Sequence, residues 1–254
     1  MKNVFTFVDV FTKIAYTLNN LAFLRSFLDF HMISIGVLNA KGGVGKTTFS
    51  TVLAIRAARD FARVGLVDLD PQQSAARWRS HRGGDADDNP LLLTGADSAT
   101  DAMDGLAHTG WDVAIFDGAP GSLEATEECI RAVDFVVIPL KASDQDLAST
   151  EYVVAACKEF AKPYLLGINE ANPPARSDKR AKEVHALLTE LKQPVADVIV
   201  CRRVAYVDGV NTGKSAAEIK GGKGGEAEKE IEELYSQIMA MARAASRKRR
   251  GKRA

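Results

Sequence analysis

Residues 41–48 read Lys41-Gly42-Gly43-Val44-Gly45-Lys46-Thr47-Thr48, a run with a lysine on either side of three glycines. An apolar segment precedes it, Ile33-Ser34-Ile35-Gly36-Val37-Leu38, and a helical pattern follows from Gly45 to Phe61, in which Ala54, Ala57 and Ala58 permit close packing on a sheet. The run therefore stands where a strand turns into a helix. Glycines there let backbone N–H groups curl around anionic oxygens, and the helix N-terminus adds partial positive charge. This is a phosphate-binding loop, with Lys46 placed to reach the β- and γ-phosphates of a nucleotide and Thr47 to ligate Mg²⁺ through its hydroxyl.

Two more apolar runs end in acids. Val64-Gly65-Leu66-Val67-Asp68 reads as a buried strand that delivers Asp68-Leu69-Asp70-Pro71-Gln72-Gln73 to the carboxyl edge of a sheet, where ligands of open α/β folds bind. Asp68 and Asp70 are two apart, so on one strand both side chains would face the site. Trp111-Asp112-Val113-Ala114-Ile115-Phe116-Asp117 is another strand, followed by Gly118-Ala119-Pro120-Gly121. A hydrophobic strand ending in aspartate is the Walker B arrangement, in which Asp117 holds Mg²⁺ through water.

The alternation continues. Strands are predicted at 134–139, Tyr164–Asn169 and 196–201, and helices at 74–80, around 147–160 and around 177–191, with a Gly/Asp-rich loop at 81–90. The expected fold class is α/β, a mainly parallel twisted sheet with helices on both faces, as in the P-loop NTPases.

The chain has 254 residues, 46% of them hydrophobic, which suffices for one α/β domain with a full core. Cys129, Cys157 and Cys201 are far apart and show no C-x-x-C spacing, which argues for a reducing cytosol and against a metal or iron–sulfur site. Formal net charge is zero, but 243–254 carries seven positive charges and no acid, so an acidic body bears a basic tail.

Residues 1–31 differ from the rest: they hold six of the eleven phenylalanines and no glycine, and Phe7, Phe11, Ile14, Leu18 and Leu21 make one helical stripe. Asp9 and Lys13 interrupt the apolar part, which suits neither a signal peptide nor a clean membrane span. The functional chain is expected to start at Met32, with 1–31 an extension or a start-site artefact; a peripheral membrane or partner helix is the alternative. Residues 32–242 then form the catalytic domain and 243–254 a basic tail, disordered when unbound. Before the tail, Ile231, Leu234, Tyr235, Ile238 and Met239 fall on one face of a helix from about Glu226, whose apolar stripe ends near Met241.

The loop departs from G-x-x-x-x-G-K-[ST], since Ala40 takes the place of the first glycine and Lys41 follows it. In this it resembles the deviant Walker A signature, K-G-G-x-x-K-[ST], of the ParA/MinD ATPases. The D-x-D-P-Q run at Asp68–Gln72 and Trp78 after it, the D-G-A run at Asp117, the P-L-x-x-S-D-x-D-L segment from Pro139 to Leu147, and more loosely Arg203, Tyr206, Gly213 and Glu218, are similar to the small ParA-type, ParF-like partition proteins. The resemblance covers nearly all of 32–242.

It implies that ATP and Mg²⁺ are the cofactors, that Lys41 contacts phosphates across a dimer interface, that Asp70 orients the attacking water with Asp68 in support, and that Thr47 and Asp117 serve the metal. It also implies an ATP-dependent homodimer that binds DNA without sequence preference and hydrolyses ATP, slowly unless stimulated by a centromere-binding ParB-type partner. ATP over GTP rests on the resemblance and on the absence of N-K-x-D. Candidate DNA contacts are Arg202, Arg203, Lys220, Lys223, Arg247, Lys248, Arg249 and Arg250. The expected location is cytoplasmic and nucleoid-associated, without stable membrane insertion. A VirC-like conjugation or T-DNA accessory ATPase and a MinD-like membrane-associated positioning ATPase are the alternatives.

Overall fold

The computed structural model describes residues 32–83, 90–93, 96–107, 109–219 and 225–251; the extension 1–31, Lys220 and Lys223 lie outside them. Six strands, β1 (Ile33–Val37), β2 (Val64–Asp68), β3 (Leu91–Leu93), β4 (Val113–Asp117), β5 (Phe135–Lys141) and β6 (Tyr164–Asn169), form one sheet in the order β3-β2-β4-β1-β5-β6. All five pairings are parallel. Eight α-helices accompany them among the described residues: α1 (Lys46–Ala57), α2 (Ser74–Arg82), α3 (Ala99–Leu106), α4 (Leu123–Ala132), α5 (Asp144–Glu159), α6 (Lys179–Glu190), α7 (Val204–Thr212) and α8 (Glu226–Gly251).

Strand alternation builds two cores. Ile33, Ile35 and Val37 of β1, Val113 and Ile115 of β4, and Phe135 and Val137 of β5 face a layer made by α1, α2, α7 and α8. Ala114, Phe116, Val136, Ile138 and Leu140 face the opposite layer of α3 to α6. A parallel sheet covered on both faces is what the near-continuous apolar strands demanded. β1 and β4 are neighbours whose following segments cross to opposite sides of the sheet, and such a switch point opens a crevice at the strands' carboxyl ends.

Three expectations need correction. Segment 196–201 is not a regular strand: it runs beside β6 through two isolated bridges, Leu166 with Val195 and Ala171 with Cys201, and separate backbone hydrogen bonds such as Val200 N to Ile168 O at 2.9 Å. Pro194 lacks an N–H, and at Asp197 the backbone turns outward to donate to Gln237 Oε1 on α8, which interrupts the ladder. Asp70 lies past the end of β2, so it shares no strand face with Asp68.

The tail is also different from its prediction. α8 runs through to Gly251, and its buried stripe extends past Met241 to Ala242 and Ser246, with Ala245 partly buried. Small residues let the helix lie close to the sheet there, and Arg249 pins its end by donating to Ala132 O at 2.9 Å and Asp134 Oδ1 at 3.0 Å. Asp134 is buried and its other oxygen accepts the Ser34 N–H and hydroxyl, so Arg249 balances an interior charge. Among the described residues no helix is long and apolar enough to cross a membrane.

Candidate nucleotide site

The loop between β1 and α1 closes over the switch point. Gly45 caps α1 at φ 99°, and a Cβ there would stand 2.1 Å from Asn169 Nδ2, so only glycine fits both the backbone and the neighbour. Asn169, at the end of β6, donates to Val44 O at 3.0 Å and so holds the loop from the far side. Gly121 N donates to Ala40 O at 2.9 Å, tying the segment after β4 to the loop's entry.

Thr47 Oγ1 donates to Asp117 Oδ2 at 2.7 Å, and Ser50 Oγ, one helical turn on, to Asp117 Oδ1 at 3.0 Å. Asp117 is fully buried, and burial pushes its carboxyl up to about 7, against the pull of the two hydroxyls; the Asp68 charge adds to the rise and Lys46 opposes it. A carboxylate held this far from water and ringed by oxygen donors fits a hard cation such as Mg²⁺ beside Thr47.

The two lysines occupy different settings. Lys46 is buried and donates to the Lys41 carbonyl at 2.8 Å; desolvation lowers its pKa, while Asp117 and Asp70 oppose the shift. The Lys41 side chain is 35% exposed and pairs with Asp146, which is only 3% exposed, at 3.1 Å. Asp146 stands in the first turn of α5, where Ser143, the N-cap, bonds its carboxylate. Asn39, Ser50, Asp146 and Asn169 were not among the predicted site residues. Ser50 was findable, since it shares a helix face with Thr47.

Asp68 and Asp70 divide their labour. Asp68 accepts the Asp70 N–H at 3.1 Å and the Ala76 N–H at 2.9 Å, so its oxygens shape the turn and the start of α2; desolvation raises its pKa. Asp70 accepts the Gln72 N–H at 2.9 Å and is half-buried, facing the crevice closely enough to act on Lys46. The arrangement suits Asp68 to a supporting role.

The predicted DNA contacts scatter. Arg202 is exposed beyond β6, and Arg247 and Lys248 are exposed near the end of α8. Arg203 is committed elsewhere: it donates to Glu230, which also accepts from the Tyr206 hydroxyl and the Cys201 N–H. Arg249 is likewise taken by Asp134, and the side chain of Arg250 lies outside the described residues. Arg203 and Arg249 thus leave the set of available cations. The loosely spaced residues gain a structural reason: Arg203 and Tyr206 join on Glu230, and Glu218 pairs with Arg82, which also donates to Gly213 O.

Residues 35–216 match the family described as the CobQ/CobB/MinD/ParA nucleotide binding domain. The chain belongs to this family of ATPases. It is 31% identical over 216 residues to a maintenance of carboxysome distribution protein A of Halothiobacillus neapolitanus, covering 81% of this chain and 96% of that protein. It is 30% identical over 217 residues to the chromosome-partitioning ATPase Soj of Thermus thermophilus, covering 72% of this chain and 87% of Soj. Among solved structures, an ATP complex of a Cyanothece McdA variant superposes with a TM-score of 0.67 at 18% identity, over 83% of this chain and 97% of that one. MinD of Aquifex aeolicus gives 0.66 at 15% identity, over 82% and 96%. The ParA/MinD ATPases bind ATP with Mg²⁺, and these are the cofactors of this chain. Its broad role is that of a positioning or partition ATPase.

Proposed function

We propose that this chain is a DNA partition ATPase with weak intrinsic, Mg²⁺-dependent turnover, in which ATP joins two copies into a sandwich dimer that binds DNA without sequence preference. A centromere-binding partner of the ParB type stimulates hydrolysis and releases the dimer. The observation that supports this best is the separation of the loop lysines. Lys46 points inward beside Asp117 and serves the nucleotide of its own protomer, whereas Lys41 stands at the outer lip, on a side chain long enough to leave Asp146 for the phosphates bound by a second copy.

Within one protomer, Thr47 and Asp117 would hold Mg²⁺, which when bound would neutralise phosphate charge. The loop N–H groups orient the phosphates, Lys46 offsets their charge, and Asp70 aligns the attacking water by accepting its hydrogen bond. Asp68 keeps Asp70 in place.

DNA contact falls to Arg202, Arg247 and Lys248, together with Lys220, Lys223 and Arg250. Two copies double the set, so assembly switches affinity on by multivalency. A second reading, positioning of a protein body on the same DNA track, is favoured by the match of nearly full length to a carboxysome distribution protein. The test is a filter-binding titration of duplex DNA across salt, with ATP and with ADP. Tight binding with ATP alone and a slope of log K against log salt of about −0.9 per phosphate contact is expected. Equal binding with both nucleotides would overturn the switch.

A further inference from the structure

Asn39 lies two residues before Lys41, at the end of the strand segment and buried beneath the loop. Its amide oxygen accepts the Lys41 N–H at 2.9 Å and lies 3.4 Å from the donating Ser149 hydroxyl. Its amide nitrogen donates to Pro139 O at 2.9 Å and to Thr150 Oγ1 at 3.3 Å. Only one orientation of the amide satisfies these partners, because the Lys41 N–H cannot accept and the Pro139 carbonyl cannot donate. Turning it over would leave buried polar groups unpaired on both sides.

Every one of these partners belongs to Lys41 itself or to the β5–α5 segment that also carries Asp146. Ser149 and Thr150 donate to the Asp146 carbonyl, at 2.9 and 2.7 Å, and the Asp146 carboxylate takes the Lys41 ammonium. One residue of the loop is therefore held at both ends by the first turns of α5: its backbone through Asn39, its side chain through Asp146. Lys46 meets this arrangement only at the Lys41 carbonyl, to which its ammonium donates at 2.8 Å; it rides on α1, makes no hydrogen bond or ion pair with Asn39 or Asp146, and answers to Asp117 and Asp70.

We propose that Asn39 is a positioning residue for Lys41. By fixing the Lys41 backbone against α5, it confines the ammonium to the arc swept by its own side-chain torsions, so that the exchange from Asp146 to a nucleotide phosphate needs no movement of the loop. This rests on the reading in which Lys41 acts on nucleotide in the assembled dimer. A residue that merely stiffened the end of β1 would affect both lysines alike.

The test compares two readouts on the full chain: ADP affinity, which reports the Lys46 side of the loop, and the protein concentration at half-assembly with Mg²⁺ and a non-hydrolysable ATP analogue, read by sedimentation. Asn39→Ala is expected to raise the half-assembly concentration about tenfold, the loss of one buried hydrogen bond, and to lower ADP affinity by much less. Thr150→Val, which removes one acceptor of the amide, should move assembly in the same direction by a smaller factor, and Thr150→Ser should restore it; this pair carries the test if Asn39→Ala does not fold. Assembly like the wild type for both Asn39→Ala and Thr150→Val, or equal losses in ADP affinity and assembly, would overturn the positioning role while leaving the dimer reading intact. Lys41→Ala, measured alongside, separates the two: if it assembles normally, the dimer reading itself fails.

Discussion

Replacing Asp117 with asparagine should stabilise the nucleotide-free protein at pH 8 while crippling its use of Mg²⁺-ATP. Burial raises this carboxyl from 3.8 to about 7, a shift worth about 4 kcal/mol at ~1.36 kcal/mol per pH unit as an upper bound. Between those two values the folded protein holds the proton more tightly than the unfolded chain, so this group's contribution to stability falls as pH rises through the window and stays low above it. Asparagine avoids the buried charge and keeps one oxygen for Thr47 or Ser50, but its amide nitrogen needs a new acceptor, which takes back roughly 1–3 kcal/mol. The net gain at pH 8 is then about 1–3 kcal/mol, or roughly 2–12 °C in Tm for a domain of this size. Thermal melts of both proteins in EDTA, from pH 4 to 9, should give curves that cross: the asparagine variant is the less stable by about 1–3 kcal/mol at the acid end, where Asp117 is protonated, and the more stable once pH has risen past 7. An asparagine variant less stable than the wild type at pH 8, or a difference independent of pH, would show that the buried Asp117 charge does not limit stability.

Asp70→Ala removes the group that orients water but leaves the phosphate contacts, so an ATP-bound dimer should accumulate with turnover reduced by about 10²-fold or more; rapid phosphate release by this variant would move the role elsewhere. Asp146→Asn weakens the hold on the Lys41 ammonium and should lower the protein concentration for half-assembly several-fold, about 1 kcal/mol of competing ion pair; sedimentation with an ATP analogue reads it, and impaired assembly would contradict the competition. Arg249→Ala leaves buried Asp134 without its guanidinium and should cost about 3 kcal/mol in urea unfolding, whereas Arg247→Ala and Lys248→Ala should leave stability alone and each flatten the salt slope of DNA binding by about 1.8, two phosphate contacts per dimer.

The phosphate loop was legible because its chemistry is local: glycines, a lysine and a hydroxyl within eight residues, between a strand and a helix. Strands ending in Asp68 and Asp117 were legible for the same reason. Asn169 and Asp146 were not, since each reaches the loop only through the order of strands in the sheet, across more than a hundred residues. α3 and α4 went unread although Ser98 and Ser122 cap them, because they are short, eight and ten residues, and five of their nine apolar positions are alanine or cysteine. The tail misled by composition: seven cations suggested a solvated run, yet Ala242, Ala245 and Ser246 recur at helical spacing and are small enough to pack. Arg203 looked free for DNA because its partner Glu230 sits on a helix 27 residues later.

On the proposed reading, Lys41 and Lys46 serve different partners, one the second copy and one the nucleotide of its own protomer. Sedimentation velocity on the full chain, with Mg²⁺ and either ADP or a non-hydrolysable ATP analogue, tests it most directly. The wild type should be a monomer with ADP and a dimer with the analogue; Lys46→Ala should lose nucleotide binding itself, and Lys41→Ala should remain monomeric with the analogue while still binding ADP. A Lys41→Ala protein that dimerises with the analogue as the wild type does would contradict this division of roles.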